Sequence, residues 1–407
     1  MDFFTYVYLF LFFFGLFFLL IFLVLHYRNL SKLYSFPEPK RFPSVTFLVP
    51  AYNEEASVEN TVNALVDLDY PKDKKRIIII NDGSKDKTAE ISRVLAKKYA
   101  EVELFDKANS GKADSLNQAL KKVTSELFAV VDADSYPKKD ALMKMVGYFE
   151  EEGVAAVTSR VLVKNKQTIL GKFQVLDYSI IAWTRKLLDF VDSVYVTNGP
   201  LSVYRVDAAK KVGGFDTKNL TEDIEITWHL LSTGHKTRMS YNAIVYTTVP
   251  ESLKIWIKQR VRWNLGGIQT IQKYWRVMFK QGAFGYFVVP YVSASFILAI
   301  LGFILLLRYL WIKVVFYSNV LAYASMGYQY WKYVSFSLPI TILLIFAVVF
   351  FVLAIFYYKQ GFKHSETGRK SILSILVYSF FYRSLYVIPL IIAIYKLAKG
   401  DIGWYTK

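Results

Sequence analysis

Residues 3–25 form one nearly continuous apolar run, and from about 284 to 397 the chain returns to long apolar runs. A segment of ordinary mixed polarity lies between them. A helix needs roughly 20 apolar residues to cross the hydrocarbon of a bilayer, so this layout predicts a globular domain held between membrane helices. The first run has no basic leader and no small-residue cleavage site, which favours a retained helix over a secretory signal. His26, Arg28, Lys32, Lys40 and Arg41 follow it, and the positive-inside rule then places the middle segment in the cytosol. Further spans are expected at about 284–307, 334–358 and 371–396. Residues 309–326 are apolar but carry Lys313 and Asn319, so they cross, re-enter or lie at the interface. Three crossings keep the basic stretch 359–370 inside and leave the C-terminus outside; four reverse both.

The chain has a net charge of +17, which on a soluble protein would point to nucleic acid. Here Lys and Arg crowd the flanks of the apolar runs, where they suit anionic lipid headgroups, and no nucleic-acid motif accompanies them. Cysteine is absent, which removes disulfides, thiolate metal sites and cysteine nucleophiles together. His26, His229, His235 and His364 show no ligand spacing, which argues against zinc.

Beyond the Pro-containing linker 36–43, short β-rich runs alternate with helical patterns. Strands are predicted at 45–49, 76–80, 102–105 and 127–131, with helices at 55–68, 85–99 and 112–123. Such alternation argues for an α/β domain with a mostly parallel sheet covered on both faces. Ligands of such sheets sit beyond the carboxyl ends of the strands. Three polar clusters fall there: Pro50, Tyr52 and Glu54 after the first strand, Asp82-Gly83-Ser84 after the second, and Asp132-Ala133-Asp134 after the fourth.

Asp132 and Asp134 are two apart at the end of an extended segment, so their side chains share a side. Paired carboxylates there can hold Mg²⁺ or Mn²⁺ against a diphosphate, or simply form a polar turn. Asp82 reads as a turn residue or as an acceptor for a base or ribose. Lys112 follows Asn109-Ser110-Gly111 at a helix start, where amides and a lysine suit phosphate. No Walker lysine motif or dinucleotide fingerprint is present, which argues against ATP hydrolysis and NAD chemistry. Glu222 and Asp223 open a predicted helix; they complement its dipole, or Asp223 serves as a general base. Gln259, Arg262 and Trp263 share a face of an amphipathic helix that begins near Ser252. That helix reads as a basic surface helix on the membrane, as a carrier of phosphate- and sugar-binding side chains, or as both.

Together these residues resemble the processive family 2 glycosyltransferases, the cellulose, hyaluronan, chitin and poly-N-acetylglucosamine synthases. The resemblance runs from Pro50 to Trp263 and includes Asp82, the Asp132-x-Asp134 pair, Thr221-Glu222-Asp223 and the Gln-x-x-Arg-Trp motif at 259–263. Pro250 to Lys254 and Gly266-Gly267 look most like poly-N-acetylglucosamine synthases. Asn198-Gly199-Pro200-Leu201 and the terminal Trp404 to Lys407 look more like hyaluronan synthases. The resemblance implies a GT-A-type domain inserted between transmembrane helices, a divalent metal (Mg²⁺ or Mn²⁺) and a UDP-sugar donor. It makes Asp223 the catalytic base with Glu222 beside it, and Asp134 the metal ligand. Pro50, Tyr52, Glu54, Asp82, Lys112, Asp132, Gln259 and Arg262 become donor-binding, and Trp263, Gly199 and Pro200 acceptor-binding.

The expected organisation is a transmembrane helix at 1–27, a basic linker at 28–43, a cytosolic catalytic domain at 44–250, and an amphipathic interface helix at 251–280. A transmembrane bundle at 281–398 and a tail at 399–407 complete it. A further interface helix is expected at 172–191. The expected function is inverting, processive synthesis of a β-linked polysaccharide at the plasma membrane, with translocation of the product. Its partners are the UDP-sugar, the growing polysaccharide, membrane lipids and a small accessory membrane subunit, with no nucleic acid. The rivals are transfer of one sugar to a polyprenyl-phosphate lipid, and an inactive scaffold or transporter subunit.

Overall fold

The computed structural model describes residues 3–280, 282–325, 342–363, 365–366 and 370–401. An apolar helix α1 (Phe3–Arg28) leads into β1 (Val45–Ala51), α2 (Val58–Val66), β2 (Lys75–Asp82) and α3 (Thr88–Lys98). Then come β3 (Val102–Lys107), α4 (Lys112–Lys121), β4 (Leu127–Val130), β5 (Ser135–Pro137), α5 (Met143–Val146) and β6 (Val154–Val163). A long helix α6 (Ile169–Asp189) precedes β7 (Ser202–Arg205), α7 (Val206–Lys211), α8 (Glu222–Ser232), β8 (Lys236–Thr247) and α9 (Leu253–Tyr274).

The strands form one eight-stranded sheet in the order β3-β2-β1-β4-β7-β6-β8-β5. The half built from β1 to β4 is parallel, and the predicted strands and helices fall where the alternation puts them. Its strands read as unbroken apolar runs because both faces are covered. Phe47, Val49, Ile77 and Ile79 pack with Val58, Val62 and Leu65 of α2 and Leu95 of α3. Leu48, Ile78 and Ile80 face the other way, onto Ala113, Leu116 and Leu120 of α4 and Ile226 and Leu230 of α8. Strand order reverses at β1, with β2 on one side and β4 on the other, and that switch point opens the crevice for a ligand. β5 to β8 extend the sheet with mixed polarity: β7 runs antiparallel to β4 and β6, and β8 runs parallel to β6.

The described residues contain four helices long and apolar enough to cross a membrane: Tyr6–Arg28, Phe284–Tyr323, Ile345–Lys363 and Ile372–Ala398. The second combines a π-helical turn, Phe284–Val288, with α10 (Val289–Ser325). It runs unbroken past Arg308 and Lys313, so residues 309–325 form no separate segment. After Gly302 nothing in that stretch breaks a helix, since it holds neither Gly nor Pro. The next is α11 (Ile342–Lys363). The last comprises α12 (Ile372–Val377), a π-helical turn at Tyr378–Tyr382, α13 (Arg383–Leu385) and α14 (Val387–Ala398). The span expected at 334–358 begins outside the described residues, as does the motif at Trp404 to Lys407.

A second core joins the two parts of the molecule. Phe22 of α1, Leu176, Ile180, Trp183 and Leu187 of α6, Trp256 of α9, Phe362 of α11, and Tyr378 and Tyr382 of the last helix form one buried cluster. The helix expected at 172–191 is therefore α6, enclosed between the sheet and the apolar helices. Thr168 caps it by accepting a hydrogen bond from the Gly171 amide.

Candidate active site

The loops at the strand ends brace one another. Asn53 sits in the left-handed region (φ 55°), its amide donating to Ser84 Oγ at 3.0 Å while its Oδ1 accepts from the Lys85 amide at 2.8 Å. The Glu54 amide donates to Thr88 Oγ1 at 2.8 Å. This holds the Pro50–Glu54 segment, with Tyr52, against the loop after β2. The Asp82 carboxylate is buried and accepts three hydrogen bonds in its own neighbourhood. Lys107 Nζ lies 2.7 Å from Oδ1, the Ser110 amide 2.9 Å from Oδ1, and the Gly111 amide 2.9 Å from Oδ2. Asp82 thus fixes the turn that launches α4 and delivers Lys112 to the crevice.

Asp132 and Asp134 are both partly exposed while Ala133 between them is buried; Asp134 Oδ1 accepts from Ser135 Oγ at 3.4 Å and from Thr247 Oγ1 at 3.5 Å. Thr61 of α2 pins the 132–134 turn by donating to the Ala133 carbonyl at 2.7 Å. Gly199 packs directly on Asp132: a Cβ built there would lie 2.6 Å from Asp132 Oδ2. The Asp132 amide also donates to the Gly199 carbonyl at 3.1 Å. The Gly199-Pro200 segment and the paired aspartates are therefore brought together.

Lys112 Nζ bridges Asp132 Oδ1 at 2.7 Å and Glu222 Oε1 at 2.8 Å. Burial works against its ammonium, but Asp132, Glu222 and Asp223 outweigh that and hold its pKa above the ordinary lysine range. Burial also acts to raise the Glu222 carboxyl, yet Lys112 and Arg262 keep it below the usual value. Asp223 next to it goes the other way: burial first, then the Glu222 charge, push its pKa up to about 6. Two adjacent carboxyls are thus split into a permanent anion and a titratable group, the separation expected when one serves as a base.

Helix α9 clamps the loop that precedes these acids. Arg262 donates to the Leu220 carbonyl at 3.0 Å, and the Leu220 amide donates to Gln269 Oε1 at 3.0 Å. Asn219 Nδ2 donates to Thr270 Oγ1 at 2.9 Å, while its Oδ1 accepts from the Thr221 amide at 2.9 Å. Gly266 lets the two backbones close up, because a Cβ there would overlap Thr221 Oγ1. Gly266→Ala is accordingly expected to push Thr221-Glu222-Asp223 out of register. The measured outcome should be at least a tenfold loss of transfer rate with the protein still folded by circular dichroism.

The rest of the Gln-x-x-Arg-Trp motif turns toward the apolar helices. Gln259 Oε1 accepts from Arg260 at 2.8 Å, and the Arg260 guanidinium lies 3.9 Å from the centroid of the Trp263 ring. Arg260 is itself buried, donating through Nε to Tyr386 Oη at 3.1 Å and standing 3.6 Å from Asp177. Asp177 of α6 is wholly buried; it accepts from the hydroxyls of Tyr378 and Tyr386 and lies 3.5 Å from Arg383.

Sequence reasoning passed over Asn219, Gln269, Thr270, Arg260 and Asp177. Asp177 had a visible signal, a lone acid within the apolar stretch Val175 to Trp183. Asn219, Gln269 and Thr270 had none, because their partners are distant in the chain.

Residues 43–266 match the family described as glycosyltransferase like family 2. Over 380 residues the chain is 29 % identical to a poly-β-1,6-N-acetyl-D-glucosamine synthase of Staphylococcus epidermidis, covering 91 % of this chain and 87 % of that protein. A synthase of the same name from Staphylococcus aureus is 34 % identical over 229 residues, 56 % of this chain and 55 % of that one. Among solved structures, a mannosyltransferase from Pyrobaculum calidifontis in complex with GDP-Man and Mn²⁺ superposes with a TM-score of 0.56 at 21 % identity. That superposition covers 90 % of this chain and 94 % of the other, and it establishes likeness of fold.

Proposed function

The chain belongs to glycosyltransferase family 2, and from that premise we propose that it is an inverting polymerase making a β-linked polymer from UDP-N-acetylglucosamine and passing it across the membrane. The observation that carries this reading is the bridge of Lys112 between Asp132 and Glu222, with Asp223 next to Glu222 on a loop clamped by Arg262 of α9. The choice of sugar and the polymeric product rest on likeness to the synthases, which extends through the apolar helices as well as the catalytic domain. We place the catalytic domain in the cytosol of a multi-pass protein, a reading supported by the four apolar helices and by the basic residues that follow the first of them.

In this reaction the acceptor hydroxyl attacks the anomeric carbon from the face opposite UDP. Asp223 takes the hydroxyl proton, the bond from the anomeric carbon to the diphosphate oxygen breaks, and UDP leaves with the electron pair. Lys112 and Arg262 supply positive charge beside the leaving group, and no covalent enzyme intermediate is required. Asp82 keeps the 109–112 turn in place, and the Pro50–Glu54 segment, held against the loop after β2, would contact the nucleotide.

The donor set also suits a divalent ion. Asp132, Asp134, Glu222 and Asp223 outnumber the cations Lys112 and Arg262, so a diphosphate would meet excess negative charge without one. Among the described residues no cluster of three His, Cys, Asp or Glu side chains forms a closed metal cage. Two carboxylates on one turn, completed by phosphate oxygens and water, match the way Mg²⁺ or Mn²⁺ is held beside nucleotides. Asp134, with Asp132 beside it, would hold that ion, which when bound neutralises the diphosphate.

The decisive test incubates the purified protein with Mn²⁺ or Mg²⁺ and a panel of UDP-sugars, then sizes the product and digests it with linkage-specific hydrolases. A polymer from UDP-N-acetylglucosamine, abolished by EDTA, is expected. A single sugar attached to a lipid, or turnover of another donor alone, overturns the reading.

A further inference from the structure

Lys112 forms ion pairs with Asp132 and Glu222, but one cation close by has no such partner. Among the described residues Arg185 of α6 forms no ion pair with a carboxylate; its one hydrogen bond goes to Asn198 Oδ1. A guanidinium carries five N–H donors, so most of its capacity is unused. Burial pulls its pKa down, only partly offset by Tyr195, Asp223 and Tyr178. Arg185 is half-buried rather than enclosed, so its remaining N–H donors stay within reach of a ligand.

Asn198 has the matching deficiency. Its Oδ1 accepts from Arg185 and from Thr158 Oγ1 at 2.6 Å. Arginine can only donate, so the amide orientation is fixed and Nδ2 is the other end. That Nδ2 is buried with no hydrogen-bond partner, in a residue 9 % exposed. The next residue, Gly199, rests on Asp132, while Arg185 senses the charge of Asp223. Unused donors on two adjacent side chains therefore lie beside the base, apart from the Lys112–Asp132–Glu222 ion pairs of the donor side.

We propose that Arg185 and Asn198 form the acceptor subsite, donating their unused N–H groups to a carbonyl or hydroxyl oxygen of the terminal acceptor sugar. The inference rests on Asp223 being the base. An N-acyl sugar supplies the required oxygen without positive charge, whereas a free amino sugar would set an ammonium against Arg185. The subsite thus selects acylated over amine-bearing acceptor ends.

The test uses the full chain in detergent with Mn²⁺, UDP-N-acetylglucosamine and a short N-acetylglucosamine oligomer at varied concentration. Arg185→Ala should raise the KM for the oligomer at least tenfold and increase UDP released per sugar transferred, as water replaces the acceptor. The KM for the donor and the affinity for UDP should stay within twofold of wild type. Arg185→Lys should recover part of the acceptor KM. Asn198→Asp should give Arg185 an internal counter-ion, raising the unfolding temperature while acceptor use falls. A parallel rise in donor KM in Arg185→Ala assigns the guanidinium to the diphosphate and overturns the proposal. Unchanged KM values for both substrates, or equal extension of de-N-acetylated oligomer by wild type, overturn it as well. If wild type uses a different UDP-sugar, the donor assignment falls, and the same split in KM measured with that sugar still decides the subsite.

Discussion

Asp223→Asn is expected to lower the transfer rate by roughly 10³-fold, the range associated with loss of a general base, while UDP binding survives and the folded protein becomes more stable. The stability gain follows from the direction of the shift. The Asp223 pKa is about 6 in the folded chain against roughly 3.9 unfolded. A raised carboxyl favours the fold when protonated, and that contribution is lost as pH rises through about 6. At neutral pH the ionised group is therefore a liability, on the order of 1–2 kcal/mol after allowance for its partial exposure. Asparagine keeps the shape and can still accept from the Ile224 amide, as Asp223 Oδ1 does at 2.9 Å. Thermal unfolding at pH 7.5 should show a higher midpoint for the variant, and the difference should vanish below about pH 4. The wild-type rate should fall on an acidic limb near pH 6 as the base is protonated. Full activity in Asp223→Asn, or a stability gain that persists at pH 4, would remove Asp223 from this role.

The second large effect concerns stability and lies away from the reacting atoms. Asp177→Leu should destabilise the protein by about 3–5 kcal/mol, because it leaves the buried Arg260 without its carboxylate. Replacing both members, Asp177→Leu with Arg260→Met, should recover much of that loss, since an apolar pair of similar volume needs no compensation. Denaturation of the purified variants in detergent provides the comparison. If the single variant is no less stable than the double, the ion pair is not what joins these helices. The double variant should still transfer sugar poorly, because Arg260 also holds Gln259 and covers the Trp263 ring.

The parallel half of the fold was legible because each element there follows from local sequence. Ile77 to Ile80 can only be a strand buried on both faces, and the polar clusters at 50–54, 82–84 and 132–134 fall at strand ends. The other strands were not read. β6 is buried along its whole length, with Ser159 and Arg160 inside it masking the apolar run. β8 alternates almost regularly from Lys236 to Thr247, a pattern that could have identified it. The chemistry-bearing acids were equally legible by type and spacing. What local sequence could not show was their division of labour. Glu222 and Asp223 differ by a single methylene and one position, and it is Glu222 that takes the direct ion pair with Lys112, 110 residues earlier in the chain. Arg185 and Asn198 are likewise unremarkable until folding joins them in one hydrogen bond and leaves Asn198 Nδ2 buried without a partner.

The buried Asp177–Arg260 pair has a mechanical consequence. Tyr378, Arg383 and Tyr386 belong to the last apolar helix, and they grip the same carboxylate that holds the helix bearing Gln259, Arg262 and Trp263. The two helices therefore tilt as one body. A transmembrane helix changes its tilt when the hydrocarbon is thinner or thicker than its apolar length. Lipid acyl-chain length is thus expected to reach Gln259, Arg262 and Trp263, and transfer rates measured in bilayers of different thickness should differ accordingly.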